Sequence, residues 1–403
     1  MKKNLSEKSL ALHKKSRGKI EIKSKVKLKT KDDLSLAYTP GVGAVSSEIG
    51  KDSSKSWQLT NRANQVAIVS DGTAVLGLGD LGPEAAMPVM EGKAVIFKEF
   101  ADIDAIPLCI NTKNVNEIVN FCKHIEPSFG GINLEDISAP RCFEILERLE
   151  NELNIPVFHD DQDGTAIVTL AALINACKAT GKKIKNLKIV VNGAGAAGIA
   201  IARLLLVYGV KNIILLDSKG TVCETVEESI CLNPLYQGTA NPFAPLVKKC
   251  NPYKLEIAKR ANLNRCLDLL GDAMAGADVF IGVSKGGLVT ENMVKSMNSK
   301  PIVFAMANPT PEIMPDLAHN AGASIVGTGR SDFSNQINNA LVFPGIFRGL
   351  LDNKILRVTT EMKISAAIAL ARSVKKPTNH KILPDITDKT AVKVISRALA
   401  RYK

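Results

Sequence analysis

The chain has 403 residues, 45% apolar and 23% charged. That composition supports a sizeable buried core and excludes disordered and fibrous classes, and the length favours two domains. The net charge of +12 is concentrated: residues 1–31 hold twelve Lys or Arg against Glu7 and Glu21, which leaves the remaining 372 residues nearly neutral.

The basic arm has no aromatic residues to stack bases, so no nucleic-acid partner is expected. No uncharged apolar stretch reaches the roughly 18 residues needed to span a bilayer, so no membrane association is expected either. Within the arm, KIEIKSKVKLKT (19–30) alternates with period two and reads as an exposed edge strand with lysines outward, suited to a homodimer contact. The eight cysteines form no CxxC pair, and most lie in apolar runs. Reduced, buried thiols and a cytoplasmic location are expected.

AYTPG (37–41) is a turn carrying Tyr38, which reads either as a buried packing residue or as a functional hydroxyl. From Val66 short apolar runs alternate with helical patterns, the mark of βαβ units around a parallel sheet. Strands are predicted near 66–69, 106–110, 130–134, 155–159, 187–192, 212–216, 278–283, 301–306 and 323–326. The glycine-rich GLGDLGPEAAMPVMEG (77–92) leads to Lys93 at the start of an apolar helical run. This is not a P-loop, because GxxxxGK would need glycine where Met87 stands. A lysine held against apolar surface beside a cation is expected to have a depressed pKa and to act as a base.

GGINLED (130–136) is a strand ending in Glu135 and Asp136. SAPRCFEILERLENEL (138–153) is a helix with Ser138 as its expected N-cap. FHDDQDGTA (158–166) ends the next strand in Asp160, Asp161 and Asp163. In a βαβ unit adjacent parallel strands end about 5 Å apart, so Glu135, Asp136, Asp160 and Asp161 converge at the edge where α/β folds bind ligands. Such acids share protons or hold a cation, and an oxygen-only set suits Mg²⁺ or Mn²⁺. Asp163 is expected to cap the following helix, and His159 to pack internally.

TAIVTLAALINACKA (165–179) is apolar nearly all round and should be a buried helix stopped by Gly181. After the basic linker 182–185, VVNGAGAAG (190–198) supplies strand, GxGxxG turn and helix. Gly193, Ala194, Gly195, Ala196, Ala197 and Gly198 are the expected dinucleotide cradle, with phosphates over the helix N-terminus. Asp217, nineteen residues after Gly198, ends the next strand. It reads as the acceptor for the ribose hydroxyls, favouring NAD, or as a turn residue; Lys219 beside it keeps NADP open. The residues after Val342 read as helices.

These stretches, together with SDGTAVLGLGDLG (70–82), ANPTPEI (307–313) and GTGRSDFSNQINNALVFPGIFRG (327–349), resemble a malic enzyme of the short bacterial type along nearly the whole chain from about residue 13. The resemblance implies an α/β fold in two parts. Residues 1–162 would form a substrate and metal domain. Residues 163–403 would form a Rossmann-type, doubly wound parallel-sheet NAD(P)-binding domain with C-terminal helices. It implies oxidative decarboxylation of L-malate to pyruvate and CO₂ with NAD or NADP and Mg²⁺ or Mn²⁺. Glu135, Asp136 and Asp161 would then hold the metal, Lys93 would take the C2 hydroxyl proton aided by Asp160, and Tyr38 would protonate C3. Asn308, also beside the cofactor, and Asn339 would hold substrate carboxylates. Larger family members carry a malate-binding arginine just after the DG pair, where this chain has Thr73 and Ala74; Arg330 is the expected substitute. A malolactic-type decarboxylase and a non-catalytic nucleotide- or nucleic-acid-binding protein are the alternatives. The segment 222–250 is longer than the short type leads one to expect.

Overall fold

A computed structural model describes residues 5–222, 251–261 and 269–403; almost all of the long segment after Val222 lies outside the described residues. Two sheets organise it. The first is parallel, in the order β2-β1-β3-β4, from β1 (Gln65–Ser70), β2 (Asp104–Cys109), β3 (Gly131–Leu134) and β4 (Val157–His159). The second has the order β10-β9-β8-β5-β6-β7. It uses β5 (Lys188–Asn192), β6 (Asn212–Asp217), β7 (Gly220–Thr221), β8 (Val279–Gly282), β9 (Ile302–Ala305) and β10 (Ile325–Thr328). Only the short β7 runs antiparallel. The nine predicted strands all form, because each is a continuous apolar run of the kind a parallel sheet buries on both faces. In β3, β4, β8, β9 and β10 every residue is buried.

Helix Thr165–Thr180 is buried along almost its whole length and ends where Gly181 adopts φ +75°. It packs on helices Ala196–Tyr208 and Thr360–Ser373, linking the two sheets' cores into one apolar cluster. The expected C-terminal helices are Phe343–Asn353, Thr360–Ser373 and Thr390–Leu399. The first of them returns to the opening sheet. Phe343 and Phe347 meet Phe97 at ring-centroid distances of 4.7 and 5.3 Å, and Phe347 also meets Phe158 at 6.0 Å. Each buried phenylalanine contributes about 1.5–3 kcal/mol from area alone, so the tail is a structural part of the first sheet's core.

Two local expectations are corrected. Residues 19–30 form no strand: a strand needs a neighbour's backbone groups, and among the described residues neither sheet edge pairs with the arm. Instead residues Leu5–Ser16 are helical, and Ile22, Val26 and Leu28 are exposed. The helix predicted from Ser138 begins at Arg141, with Pro140 in the cap position. Ser138 is drawn away by Thr73, whose hydroxyl oxygen accepts its N–H at 2.9 Å.

Candidate active site

The carboxyl ends of β3 and β4 bring together the acids predicted from their sequence. Carboxylate oxygens of Glu135, Asp136 and Asp161 lie within 4.8 Å of one another. Asp136 sits in the left-handed region at φ +52°, and its N–H donates to Asp161 Oδ2 at 2.8 Å, which locks the two strand ends in register. Asn133 donates to Glu135 Oε2 at 3.0 Å.

Asp160 to Gly164 form a π-type turn, a shape that recurs at functional sites. Glycine is required at its end, since a Cβ on Gly164 would stand 1.7 Å from Asp160 Oδ1. Asp163 does not cap the next helix: its Oδ1 pairs with Lys363 Nζ at 2.7 Å, so the C-terminal helix claims it first. His159 is fully buried, as expected, and burial pushes its pKa down to about 3.

Lys93 comes from helix Pro83–Ala101 and is itself buried. Its ammonium is hydrogen-bonded to Asp160, lies 2.5 Å from Glu135 Oε2, and sits 4.4 Å over the Phe343 ring. The sequence expectation assumed a neighbouring cation; without one, the protein's own groups set the balance. Burial does lower the Lys93 pKa, but Asp160, Glu135 and Asp161 outweigh it and the pKa is raised.

The acids respond in kind. Burial pushes Glu135 and Asp160 up to about 7 and Asp161 to about 6, against the pull of Lys93. Asp136 rises to about 9 through burial and the charges of Asp161 and Glu135. Protons or a cation must balance such a set. A hard divalent cation fits: the donors are all oxygens, and Asp136 Oδ2 is buried without a hydrogen-bond partner.

A network that the sequence did not reveal braces this edge. Arg141 donates to the buried Asp71 at 2.8 Å and to the Thr73 hydroxyl at 3.0 Å. Ala74 N–H donates to the Asp136 carbonyl at 3.0 Å. Thr73 is thus a bracket for residues 136–138, and its signal was the short polar run SDGT.

The second sheet contributes the glycine turn. Gly193 has φ +121°, and a Cβ on Gly198 would stand 1.7 Å from the Gly193 carbonyl, so the helix packs directly on the turn. Gly195 faces open space at the N-terminus of helix Ala196–Tyr208, and the intervening Ala194, Ala196 and Ala197 complete the turn. That helix packs against the Asp160–Gly164 turn, so the element that follows the glycine turn touches the carboxylate edge. Asp217 ends β6, with its carboxylate taken up by Lys254 Nζ at 2.6 Å and the Lys219 N–H at 2.8 Å. Lys254 was not anticipated, because it arrives from 37 residues further on.

Asn308 follows β9, and its carbonyl would lie 2.6 Å from a Cβ on Gly77, which places it beside the loop leading to Lys93. Asn339 abuts Gly164. Arg330 is half-buried and holds Asp332 through two hydrogen bonds, with a third to the Pro309 carbonyl at 3.2 Å. Tyr38 lies outside the cluster in the single chain, 65% exposed.

A parallel-sheet glycine turn beside a buried lysine and a carboxylate trio defines a dinucleotide-binding α/β protein. Two family descriptions cover it: "Malic enzyme, N-terminal domain" matches residues 17–150 and "Malic enzyme, NAD binding domain" matches residues 162–402. The chain is 52% identical over 400 residues to the bifunctional malic/malolactic enzyme of Bacillus subtilis, covering 99% of this chain and 93% of that one. It is 50% identical over 400 residues to the NAD-dependent malic enzyme of Geobacillus stearothermophilus, covering 98% and 78%. The crystal structure of the NAD-dependent malic enzyme of Thermotoga maritima superposes with a TM-score of 0.88 at 48% identity, over 97% of this chain and 98% of that one. The chain belongs to the malic enzyme family.

Proposed function

We propose that this chain catalyses the oxidative decarboxylation of L-malate to pyruvate and CO₂ with reduction of NAD(P), at the cleft between the two sheets. The observation that carries the reading is Lys93, buried between Asp160 and Glu135 beside the carboxylate trio. Glu135, Asp136 and Asp161 are the residues that would hold Mg²⁺ or Mn²⁺. When bound, the nucleotide supplies a hydride acceptor and the cation supplies Lewis acidity at malate's C2 oxygen.

The chain's own part is positioning and proton handling. Lys93 and Asp160 form a contact pair whose carboxyl titrates near 7, so the pair can take the C2 hydroxyl proton at neutral pH and pass it on. Asn308, beside Gly77, and Asn339, against Gly164, orient the substrate's carboxylates. Arg330 receives a carboxylate by exchanging it for Asp332. Buried groups around the pair, Phe343 above all, keep bulk water from competing for the proton.

Tyr38 is assigned to protonate C3, and a homodimer is the assembly that brings it to a cleft. Leu34, Leu36 and Tyr38 are all exposed, and none of the helices from Leu5 to Leu59 buries a residue. A second copy covering this apolar face would bury it and place Tyr38 against the partner's substrate. NAD is the preferred nucleotide on the strength of Asp217; Lys254 and Lys219 reduce its repulsion of a 2′-phosphate enough for NADP to be used more weakly. Among the described residues no helix is long and apolar enough to cross a membrane, and the cytoplasm is the proposed location.

The name of the Bacillus relative favours one second reading, a malolactic conversion at the same site. Product analysis decides between them. Pyruvate and reduced nucleotide in equal amounts support the oxidative reaction, whereas lactate without reduced nucleotide replaces it with the malolactic one.

A further inference from the structure

The glycine turn and Asn308 lie on separate loops at the carboxyl ends of β5 and β9, with the loop after β8 between them. A dinucleotide must touch both walls, so their spacing has to be held before it binds. Glu312 occupies the point where these loops meet.

Its side chain is fully buried. Glu312 Oε1 accepts the Ser284 N–H at 3.1 Å, and Oε2 accepts the Ala307 N–H at 3.0 Å. Ser284 follows β8, and its hydroxyl oxygen accepts from Asn192 Nδ2 at 3.0 Å; Asn192 immediately precedes Gly193 of the glycine turn. Ala307 immediately precedes Asn308. The Glu312 main chain is fixed too, since its carbonyl accepts the Val289 N–H at 3.0 Å. The sequence has made room for this carboxylate: Gly282 ends β8, and a Cβ there would stand 2.3 Å from Glu312 Cδ.

No cation pairs with Glu312 among the described residues. Burying a carboxylate without one is costly, and an apolar residue would fill the same space at less cost. The geometry points to Glu312 as a positioning residue for the dinucleotide: its two oxygens tie the loops after β8 and β9, and through Ser284 and Asn192 the glycine turn, into one preformed cradle. This rests on the nucleotide-dependent reading proposed above and adds a residue that touches neither nucleotide nor substrate.

The test uses the full-length protein with NADH as the probe, titrated by its fluorescence without malate or metal. Glu312→Gln keeps the shape, but its amide oxygen can accept only one of the two N–H groups while its NH₂ opposes the other. The expected result is a rise in the NADH Kd of about tenfold or more, with Mn²⁺ affinity unchanged. Gly282→Ala leaves the charge and pushes the carboxylate aside, and should weaken NADH in the same direction. In the wild-type protein without nucleotide, hydrogen exchange should already show the Ser284 and Ala307 amides protected. Either of two results overturns the proposal: an NADH Kd within about twofold of wild type in a folded variant, or unprotected amides at both positions, a reading that needs no variant to fold. A wild-type protein that binds neither NADH nor NADPH would instead sink the nucleotide-dependent function itself.

Discussion

Lys93 and Asp160, 67 positions apart in the chain, meet in direct contact at the floor of the cleft, with both side chains buried. Helix Pro83–Ala101 brings one and the turn after β4 brings the other, so the contact exists only because β1 and β3 are neighbours and β3 pairs with β4. An isolated lysine here would be neutralised by burial; this one keeps its proton because three acids face it.

Replacing Lys93 by methionine should lower turnover about 10²–10⁴-fold, the usual contribution of a positioned proton-transfer group. NADH affinity, read by fluorescence, should not change. Retained turnover would remove Lys93 from the proton path.

The carboxylate trio makes stability depend on pH in a defined direction. Folding raises the pKa of Glu135 to about 7, of Asp161 to about 6 and of Asp136 to about 9. Between the ordinary carboxylate range near 4 and these values, the folded protein holds more protons than the unfolded chain. Without a divalent cation, stability should therefore fall as pH rises from about 4 to about 9, the span between the ordinary carboxylate range and the highest of these values. Mg²⁺ competes with the protons, so the stability it adds, read as a rise in melting temperature, should grow over the same range, reaching about 2.7 kcal/mol at a hundredfold excess over Kd. A gain from Mg²⁺ that is independent of pH would separate the cation from these three acids.

Arg330 and Asp332 offer a paired test. Arg330→Ala should raise the malate KM about tenfold by removing a charge-assisted contact, whereas Asp332→Asn frees the guanidinium and should leave KM at or below wild type. Equal KM values in both variants and the wild type would take Arg330 out of substrate binding.

Nucleotide preference should turn on the Asp217–Lys254 contact. Lys254→Ala exposes the full charge of Asp217 and should weaken NADP more than NAD. Asp217→Asn should move the preference toward NADP, by about tenfold for one removed like-charge contact. Steady-state KM values for both nucleotides check this, and parallel changes in the two would count against it.

Strand positions, the glycine turn and the converging acids were legible in the sequence because each is a local pattern: continuous apolar runs, a fixed glycine spacing, acids at strand ends. What was not legible depends on distant segments. The arm reads as a strand by its period, yet among the described residues no sheet edge accepts it. Asp163 looked like a cap until Lys363, two hundred residues later, took its carboxylate. The raised pKa of Lys93 needed the actual distances to three acids, and the roles of Thr73, Lys254 and Glu312 lie in contacts that no spacing announces.

The most direct test of the central claim is the initial rate of absorbance change at 340 nm, with wild-type protein, L-malate, and NAD or NADP supplied in turn, with and without Mn²⁺. Absorbance should rise with NAD, more slowly with NADP, and only when Mn²⁺ is present. No rise with either nucleotide, or an equal rise after exhaustive chelation of divalent ions, would contradict a cation-dependent malate oxidation at the Lys93 cleft.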